Sequence, residues 1–119
     1  MKILDKFFNR NKNKDFNQSG SEHAVIIHFK YGFQELQPLY DLEDKIEEIL
    51  SKSKVGILDG HEIAVDASDG FLYMYGQNTE TLFKKIKPTL ESCYFMKRAI
   101  VKLRFGPAKN GVKEIEVEI

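Results

Sequence analysis

The sequence is poor in residues that define several classes of protein. It contains one cysteine, Cys93, and no tryptophan. A single cysteine excludes an intramolecular disulfide and a cysteine-rich metal site, and it is typical of a protein from a reducing compartment. No apolar run approaches the roughly 20 residues of a membrane-spanning helix. Asp5 and Lys6 interrupt the apolar start before a signal-peptide core can form. We therefore expect a cytoplasmic protein.

The sequence also lacks an excess of charge of either sign, because 18 basic residues balance 18 acidic ones. Nucleic-acid-binding domains usually carry a basic excess, so we expect no nucleic-acid partner. The charges are unevenly spread, since residues 1–22 hold two more basic than acidic residues and the remainder holds two more acidic ones. The length of 119 residues suits one domain that folds without metal or disulfide.

The first 22 residues predict a basic amphipathic start and a flexible linker. Residues 9–21 are polar and contain too few apolar side chains to stay ordered. Before them, the apolar residues would share one face of a helix flanked by Lys2, Lys6 and Arg10. These apolar residues are Ile3, Leu4, Phe7 and Phe8. Such a helix can bind an anionic membrane surface, and it resembles the membrane-targeting leaders of bacterial peripheral proteins such as the cell-division topological specificity factor. A frayed start, or a segment docked on its own domain, is the alternative.

Residues 23–119 predict a single domain. β-branched and aromatic residues indicate a first strand at 24–31. Apolar residues at helical spacing indicate a helix that begins near Pro38 and ends by about Lys54 to Gly56. A hairpin follows over residues 55–76. A second helix, capped by Asn78 or Thr79, then contains Pro88, which should kink or break it.

The C-terminal region predicts an antiparallel hairpin over residues 98–106 and 112–119. Lys102 and Arg104 should face the glutamates of the last strand, where opposite charges set the register. The whole order predicts an α+β fold, a ferredoxin-like βαββαβ sandwich with two helices on one face of the sheet and an extra C-terminal antiparallel strand.

Polar residues cluster around the predicted central hairpin, at Asp59, His61, Glu62, Asp66 and Asp69. Carboxylates beside an imidazole can bind a divalent metal or perform acid–base chemistry. The spacing matches neither HExxH nor a calcium loop, and His61 and Glu62 point to opposite faces of a strand. Turn-forming residues explain the cluster, so we expect no metal, no cofactor and no catalytic residue. A small-molecule or enzyme pocket near Asp59, His61 and Glu62 is the alternative.

Aromatic residues on the predicted central strands are the best candidates for binding. They are Tyr31, Phe71, Tyr73 and Tyr75. Some RNA-binding domains of this fold stack bases on such rings, but the basic and aromatic motif of those domains is absent here. We expect these rings to anchor a protein on the exposed sheet face or at an edge strand. His28 is typical of a sheet histidine whose hydrogen bonds are satisfied.

Several short motifs are similar to those of a family of small bacterial proteins without an assigned function. The motifs are Asp59-Gly-His-Glu-Ile63, Leu72-Tyr-Met-Tyr-Gly76, Leu82-Phe83, Lys87-Pro88 with Leu90, and Arg104-Phe-Gly-Pro107. The resemblance covers residues 55–119, implies a ferredoxin-like domain and brings no catalytic residues. We therefore expect a non-enzymatic interaction module of an accessory or immunity type, whose partner is another protein or a second copy. A membrane-tethered adaptor using residues 1–14 is a third option.

Overall fold

The computed structural model describes the backbone of residues 3–8 and all of residues 22–119. In chain order the elements are β1 (Ile3–Phe8), β2 (His23–Lys30), α1 (Gln37–Ser53), β3 (Ile57–Ala64), β4 (Asp69–Gly76), α2 (Thr79–Glu91), a 3₁₀ turn (Tyr94–Met96), β5 (Ile100–Arg104) and β6 (Glu114–Glu118). The described strands form one sheet in the order β1-β3-β4-β2-β5-β6, and each neighbouring pair is antiparallel. The predicted α+β class is confirmed.

The helix predicted at the start of the chain is wrong for the residues whose backbone is described. Ile3–Phe8 form β1, which pairs with β3 at one edge of the sheet. A helix of so few residues is marginal in water, whereas pairing with β3 satisfies backbone groups of both strands. The predicted linker at 9–21 lies outside the described residues. The same is true of the side chains proposed for membrane contact, those of Ile3, Leu4, Phe7 and Phe8.

The two helices cover the same face of the sheet. α1 packs on β3, α2 packs on β2, β4 and β5, and the helices contact each other. Pro38 lies in the first turn of α1, where its missing N–H is not needed. At the start of α2, the predicted cap is confirmed because the Asn78 side chain accepts a hydrogen bond from the Thr81 N–H at 2.9 Å.

Pro88 does not break α2, which continues to Glu91. A break was one of the two predicted outcomes, and it is absent because Pro88 is exposed and lies in the last turns of the helix. There, the backbone carbonyl group that loses its hydrogen bond can bond to water instead. Neither helix, nor any other in the described residues, is long and apolar enough to cross a membrane.

The core lies between the helices and the sheet. Alternate residues of the central strands point toward the helices, and the largest of them are fully buried. They are Val25, Ile27 and Phe29 of β2, Leu72 and Met74 of β4, and Val101 of β5. Apolar stripes of both helices cover them, namely Leu39, Leu42, Ile46 and Leu50 of α1 and Leu82, Ile86 and Leu90 of α2. The remaining residues of the same strands point to the other side of the sheet.

β5 and β6 form the predicted C-terminal hairpin. Lys102 lies opposite Glu116, and Arg104 lies opposite Glu114. The prediction that the basic residues of β5 face the glutamates of β6 is therefore confirmed. The Lys102 Nζ atom also lies 3.8 Å from the diagonal carboxylate of Glu114, so the charges of the two strands interact on the side away from the helices.

Candidate functional site

We call the side of the sheet that no described helix covers the open face. Strand alternation places large side chains of β4 on it, because Leu72 and Met74 point into the core. The open face includes His28 of β2, Glu62 of β3, Phe71, Tyr73 and Tyr75 of β4, and Lys102 and Arg104 of β5. The three aromatic rings of β4 are partly buried, so each presents part of its surface to solvent.

The aromatic side chains of the open face form a row. The imidazole of His28 stacks on Phe71 with 4.6 Å between ring centroids and 17° between planes, and Tyr73 follows Phe71 at 6.0 Å and 20°. The register produces this stacking, since His28 lies directly opposite Phe71. At the far end, the guanidinium of Arg104 lies 6.0 Å from the ring centroid of Tyr75. The aromatic row therefore combines apolar ring surface with polar ring edges.

A carboxylate fixes the imidazole at one end of the aromatic row. The Nε2 atom of His28 lies 2.7 Å from the Oδ2 atom of Asp69, and the two side chains are 40% and 10% exposed. Asp69 is thus nearly buried while the imidazole remains accessible. This arrangement holds His28 against Phe71 and leaves the imidazole partly exposed to solvent.

Acidic residues surround the tyrosines of the aromatic row. The hydroxyl group of Tyr73 donates a hydrogen bond to Glu62. Burial, this hydrogen bond and the charge of Glu62 raise the pKa of Tyr73 well above its ordinary value. Burial also raises the pKa of Tyr75, and the charge of Asp59 raises it further. Both phenols therefore stay protonated at neutral pH, and a protonated phenol can donate a hydrogen bond.

Tyr31 does not belong to the open face, which corrects its predicted role as an anchor there. The residue is 7% exposed and packs edge-to-face against Phe29, Phe33 and Phe95. Its hydroxyl group donates to the carbonyl group of Glu35 at 2.7 Å. The physical reason is the two-residue period of the strand, which places Tyr31 on the same side as Phe29 and directs both rings into the core.

His61 and Glu62 lie on opposite sides of the sheet, as the sequence predicted. His61 is fully buried on the helix side, with its Nδ1 atom 2.9 Å from the Oε2 atom of Glu43 in α1. Glu62 faces Tyr73 on the open face. Asp59 precedes both residues in sequence and lies at a register shift in the pairing of β3 with β4. The structure therefore does not bring His61 into one pocket with Glu62.

Two acidic residues, Glu43 and Asp69, have specific partners that were not predicted from the sequence, although Asp69 was noted in the polar cluster of the central hairpin. Glu43 follows Leu39 by four positions and precedes Ile46 by three, so helical spacing places it on the buried stripe of α1. A charged residue on such a stripe indicates a buried polar partner. Asp69 gives no comparable signal, because its contact with His28 depends on the register between β4 and β2.

Other parts of the described structure offer less to a ligand. No group of three or more His, Cys, Asp or Glu side chains in the described ranges can hold a metal ion.

Two adjoining depressions of about 400 and 490 Å³ lie between the end of α1 and the start of α2, away from the open face. They are lined mainly by Lys54, Val55, Asn78, Thr81, Lys84 and Lys85. Cys93 is partly buried, and burial raises the pKa of its thiol.

Comparison of the chain with protein-family models, with curated proteins and with solved structures finds no match. The resemblance of residues 55–119 to a bacterial family accordingly depends on the short motifs alone.

Proposed function

We propose that the protein is a non-enzymatic interaction module that binds another protein through the open face. The observation that carries this proposal is the aromatic row formed by His28, Phe71, Tyr73 and Tyr75 on a sheet face without a covering helix in the described chain. Aromatic side chains are enriched at the centres of protein interfaces, where they supply a large contact area and a polar edge.

The aromatic row is held in place before any partner arrives. Asp69 fixes the imidazole of His28, and Glu62 accepts a hydrogen bond from Tyr73. Arg104 lies over the ring of Tyr75, and its own Nε atom donates to the Gly106 carbonyl at 2.7 Å. Because these side chains are already ordered, binding costs less conformational entropy than it would on a mobile surface. This order supports a preformed protein-binding surface.

We also propose that the domain is a ferredoxin-like sandwich, extended at both edges. β2 and β3, joined by α1, are both antiparallel to β4, which lies between them. β4 and β5, joined by α2, are likewise both antiparallel to β2. Two interleaved units of this kind are the split βαβ arrangement. β1 and β6 would then be additional strands at the two edges of the ferredoxin-like sheet. For the location of the protein, the single cysteine favours the cytoplasm.

The proposed function is tested by replacing rings of the open face and measuring capture of the partner. The full-length protein would be tagged in its own cells, and the recovered proteins would be quantified by mass spectrometry. We expect a Phe71→Ala/Tyr75→Ala variant to recover its partner about thirty-fold less, since central aromatic residues contribute about 2 kcal/mol or more to binding. Urea unfolding would confirm that the variant is folded.

Tyr94→Ala provides a matched control, because Tyr94 is 70% exposed and lies in the 3₁₀ turn away from the open face. This variant removes an exposed aromatic ring and should leave partner recovery unchanged. Equal recovery by the two variants, or recovery of the tagged chain alone from wild-type cells, would contradict the proposal.

A further inference from the structure

β6 forms one edge of the sheet, and no strand in the described residues pairs with its outer side. The N–H of Phe105 donates to the carbonyl group of Lys113, and the N–H of Ile119 donates to that of Ala99. In an antiparallel ladder, alternate residues direct their backbone groups to opposite sides of the strand. The residues that direct their N–H and C=O groups outward are therefore Glu114, Glu116 and Glu118.

The edge lacks most of the features with which proteins prevent strand addition. β6 pairs with β5 without a register shift, and residues 114–118 include neither proline nor lysine. Bulges, proline and lysine are the usual protection of an edge strand. β6 carries acidic side chains instead, and they project on the side of the open face, opposite Lys102 and Arg104.

The charges of these three glutamates are only partly neutralised. The carboxylate of Glu114 lies 3.8 Å from the Lys102 Nζ atom, and that of Glu118 lies 3.5 Å from the Arg98 Nε atom. Glu116, in the middle of the strand, has no ion pair within the described part of the chain. Among the described residues, the edge therefore combines backbone groups that pair with no strand and a central carboxylate without an ion pair.

A second copy of the chain is a poor occupant of this edge. Antiparallel pairing of two β6 strands about a central two-fold axis would place Glu116 opposite its own counterpart and Glu114 opposite Glu118. Like charges directly opposite each other destabilise a strand pair. The charge pattern thus selects against self-pairing and in favour of a cationic strand.

We infer that the β6 edge binds an extended protein segment in which basic residues alternate with apolar ones. The inference deepens the proposed function and rests on it, because it names the class of partner. Basic side chains at every second residue recur at about 6.8 Å, which is also the spacing of alternate glutamates along β6. The apolar side chains would meet Ile115, which is 38% exposed on the opposite side of the strand.

β5 already shows this pattern within the molecule. Lys102 and Arg104 alternate with Val101 and Leu103, and the strand pairs with the inner side of β6. A partner segment with the same alternation would place its basic side chains opposite the glutamates on the outer side of β6, as β5 does on the inner side. Its backbone would extend the sheet by one strand through β-augmentation.

A synthetic heptapeptide of alternating valine and lysine tests the inference with the full-length protein. In a partner strand, the lysines would lie opposite the glutamates. The backbone N–H groups of the lysines would donate hydrogen bonds to the outward carbonyl groups of β6. N-methylation of the lysine backbone nitrogens removes these donors and leaves every charge in place, whereas N-methylation of the valines places the methyl groups on the free side. Amide chemical shifts of Glu114, Glu116 and Glu118 would report binding.

We expect the unmethylated and valine-methylated peptides to bind with similar affinity and the lysine-methylated peptide to bind about ten-fold more weakly. Glu116→Lys should also weaken binding about ten-fold, since an attraction becomes a repulsion. Glu91→Lys makes the same change of net charge on exposed α2 and should leave the dissociation constant unchanged.

If the lysine-methylated peptide binds as tightly as the unmethylated one, binding depends on attraction between charges and not on backbone hydrogen bonds to β6. That result would overturn the inference. Unchanged binding by Glu116→Lys, or the absence of any shift at the amides of β6, would overturn it as well. The proposed function is decided separately, by partner recovery with the Phe71→Ala/Tyr75→Ala variant. The two experiments therefore distinguish a wrong inference about the β6 edge from a wrong proposal about the open face.

Discussion

At the scale of single residues, Glu43 and His61 connect α1 to β3 by a polar contact inside the core. The imidazole is fully buried, and Glu43 is 8% exposed. Replacing Glu43 with alanine removes the carboxylate and leaves a buried imidazole nitrogen without this partner. We expect Glu43→Ala to lower the free energy of unfolding by about 3 kcal/mol, as measured by urea denaturation.

Glu48→Ala is the control for this prediction, because Glu48 lies on the same helix but forms an exposed ion pair with Lys52. Exposed pairs of this type contribute little, so the control should lose at most about 0.5 kcal/mol. A loss of similar size in both variants would show that the contact with His61 does not stabilise the fold.

Tyr73 predicts how stability depends on pH in alkaline solution. Burial and Glu62 raise its pKa in the folded protein, whereas in the unfolded chain the phenol ionises near its ordinary pKa of about 10. The unfolded state therefore loses its proton first. The stability that neutral Tyr73 contributes is complete below about pH 10 and is lost as the pH rises from there toward the higher pKa of the folded state.

Tyr73→Phe should accordingly make the free energy of unfolding less dependent on pH above about pH 9. Urea denaturation at a series of pH values measures this slope, and the absorbance of tyrosinate follows the ionisation itself. Val101→Ala shortens a fully buried side chain on the helix side of the sheet and removes no ionisable group, so it should lower stability and keep the wild-type slope. An unchanged slope in Tyr73→Phe would contradict the assignment of the raised pKa to Tyr73.

The residues of the open face were only partly predictable from the sequence. Phe71, Tyr73 and Tyr75 share a strand, so their two-residue period shows that they lie together. The stacking of His28 on Phe71 depends on the register of β2 against β4, which a single sequence does not encode locally. Tyr31 was placed with these rings by residue type, although its spacing from Phe29 puts it on the other side of the sheet.

At the scale of elements, regular periodicity made the helices and hairpins predictable. α1 was expected to begin near Pro38 and to end by about Lys54 to Gly56, and it runs from Gln37 to Ser53. The agreement reflects four apolar positions at spacings of three and four, together with a proline suited to the first turn. β3 and β4 were expected as a hairpin because turn-forming residues at 66–70 separate two apolar runs.

β1 shows where local pattern is insufficient. Its apolar residues fit one face of a short helix, yet the described backbone pairs with β3, a strand some fifty residues later in the chain. Long-range pairing of this kind depends on an edge that exists only once the sheet has formed. Pro88 is a related case, because its residue type predicts a break and only its exposed position near the end of α2 explains why the helix continues.

At the scale of the whole molecule, the described helices leave two adjacent surfaces of the sheet uncovered. Both helices pack on one side of the sheet, so the open face and the β6 edge meet along the charged residues of β5 and β6. Lys102 belongs to the open face and also contacts Glu114 of the edge strand. A strand added to β6 would therefore widen the open face, and one partner could contact both surfaces.

The glutamates of β6 should also control whether the protein associates with itself. With these carboxylates replaced, the outward N–H and C=O groups of β6 could pair with a second copy without repulsion. We expect a Glu114→Gln/Glu116→Gln/Glu118→Gln variant to form dimers under conditions where the wild-type edge does not pair. Sedimentation velocity at matched protein concentration and salt would measure the difference.

Proline at position 116 separates strand pairing from a general loss of solubility. Because the N–H of Glu116 points outward, proline removes a donor from the edge without removing a hydrogen bond to β5. A Glu114→Gln/Glu116→Pro/Glu118→Gln variant should therefore sediment like the wild type. If the triple glutamine variant also sediments like the wild type, the carboxylates do not prevent self-pairing. If the proline variant associates as strongly as the glutamine variant, association proceeds through a surface other than the β6 edge.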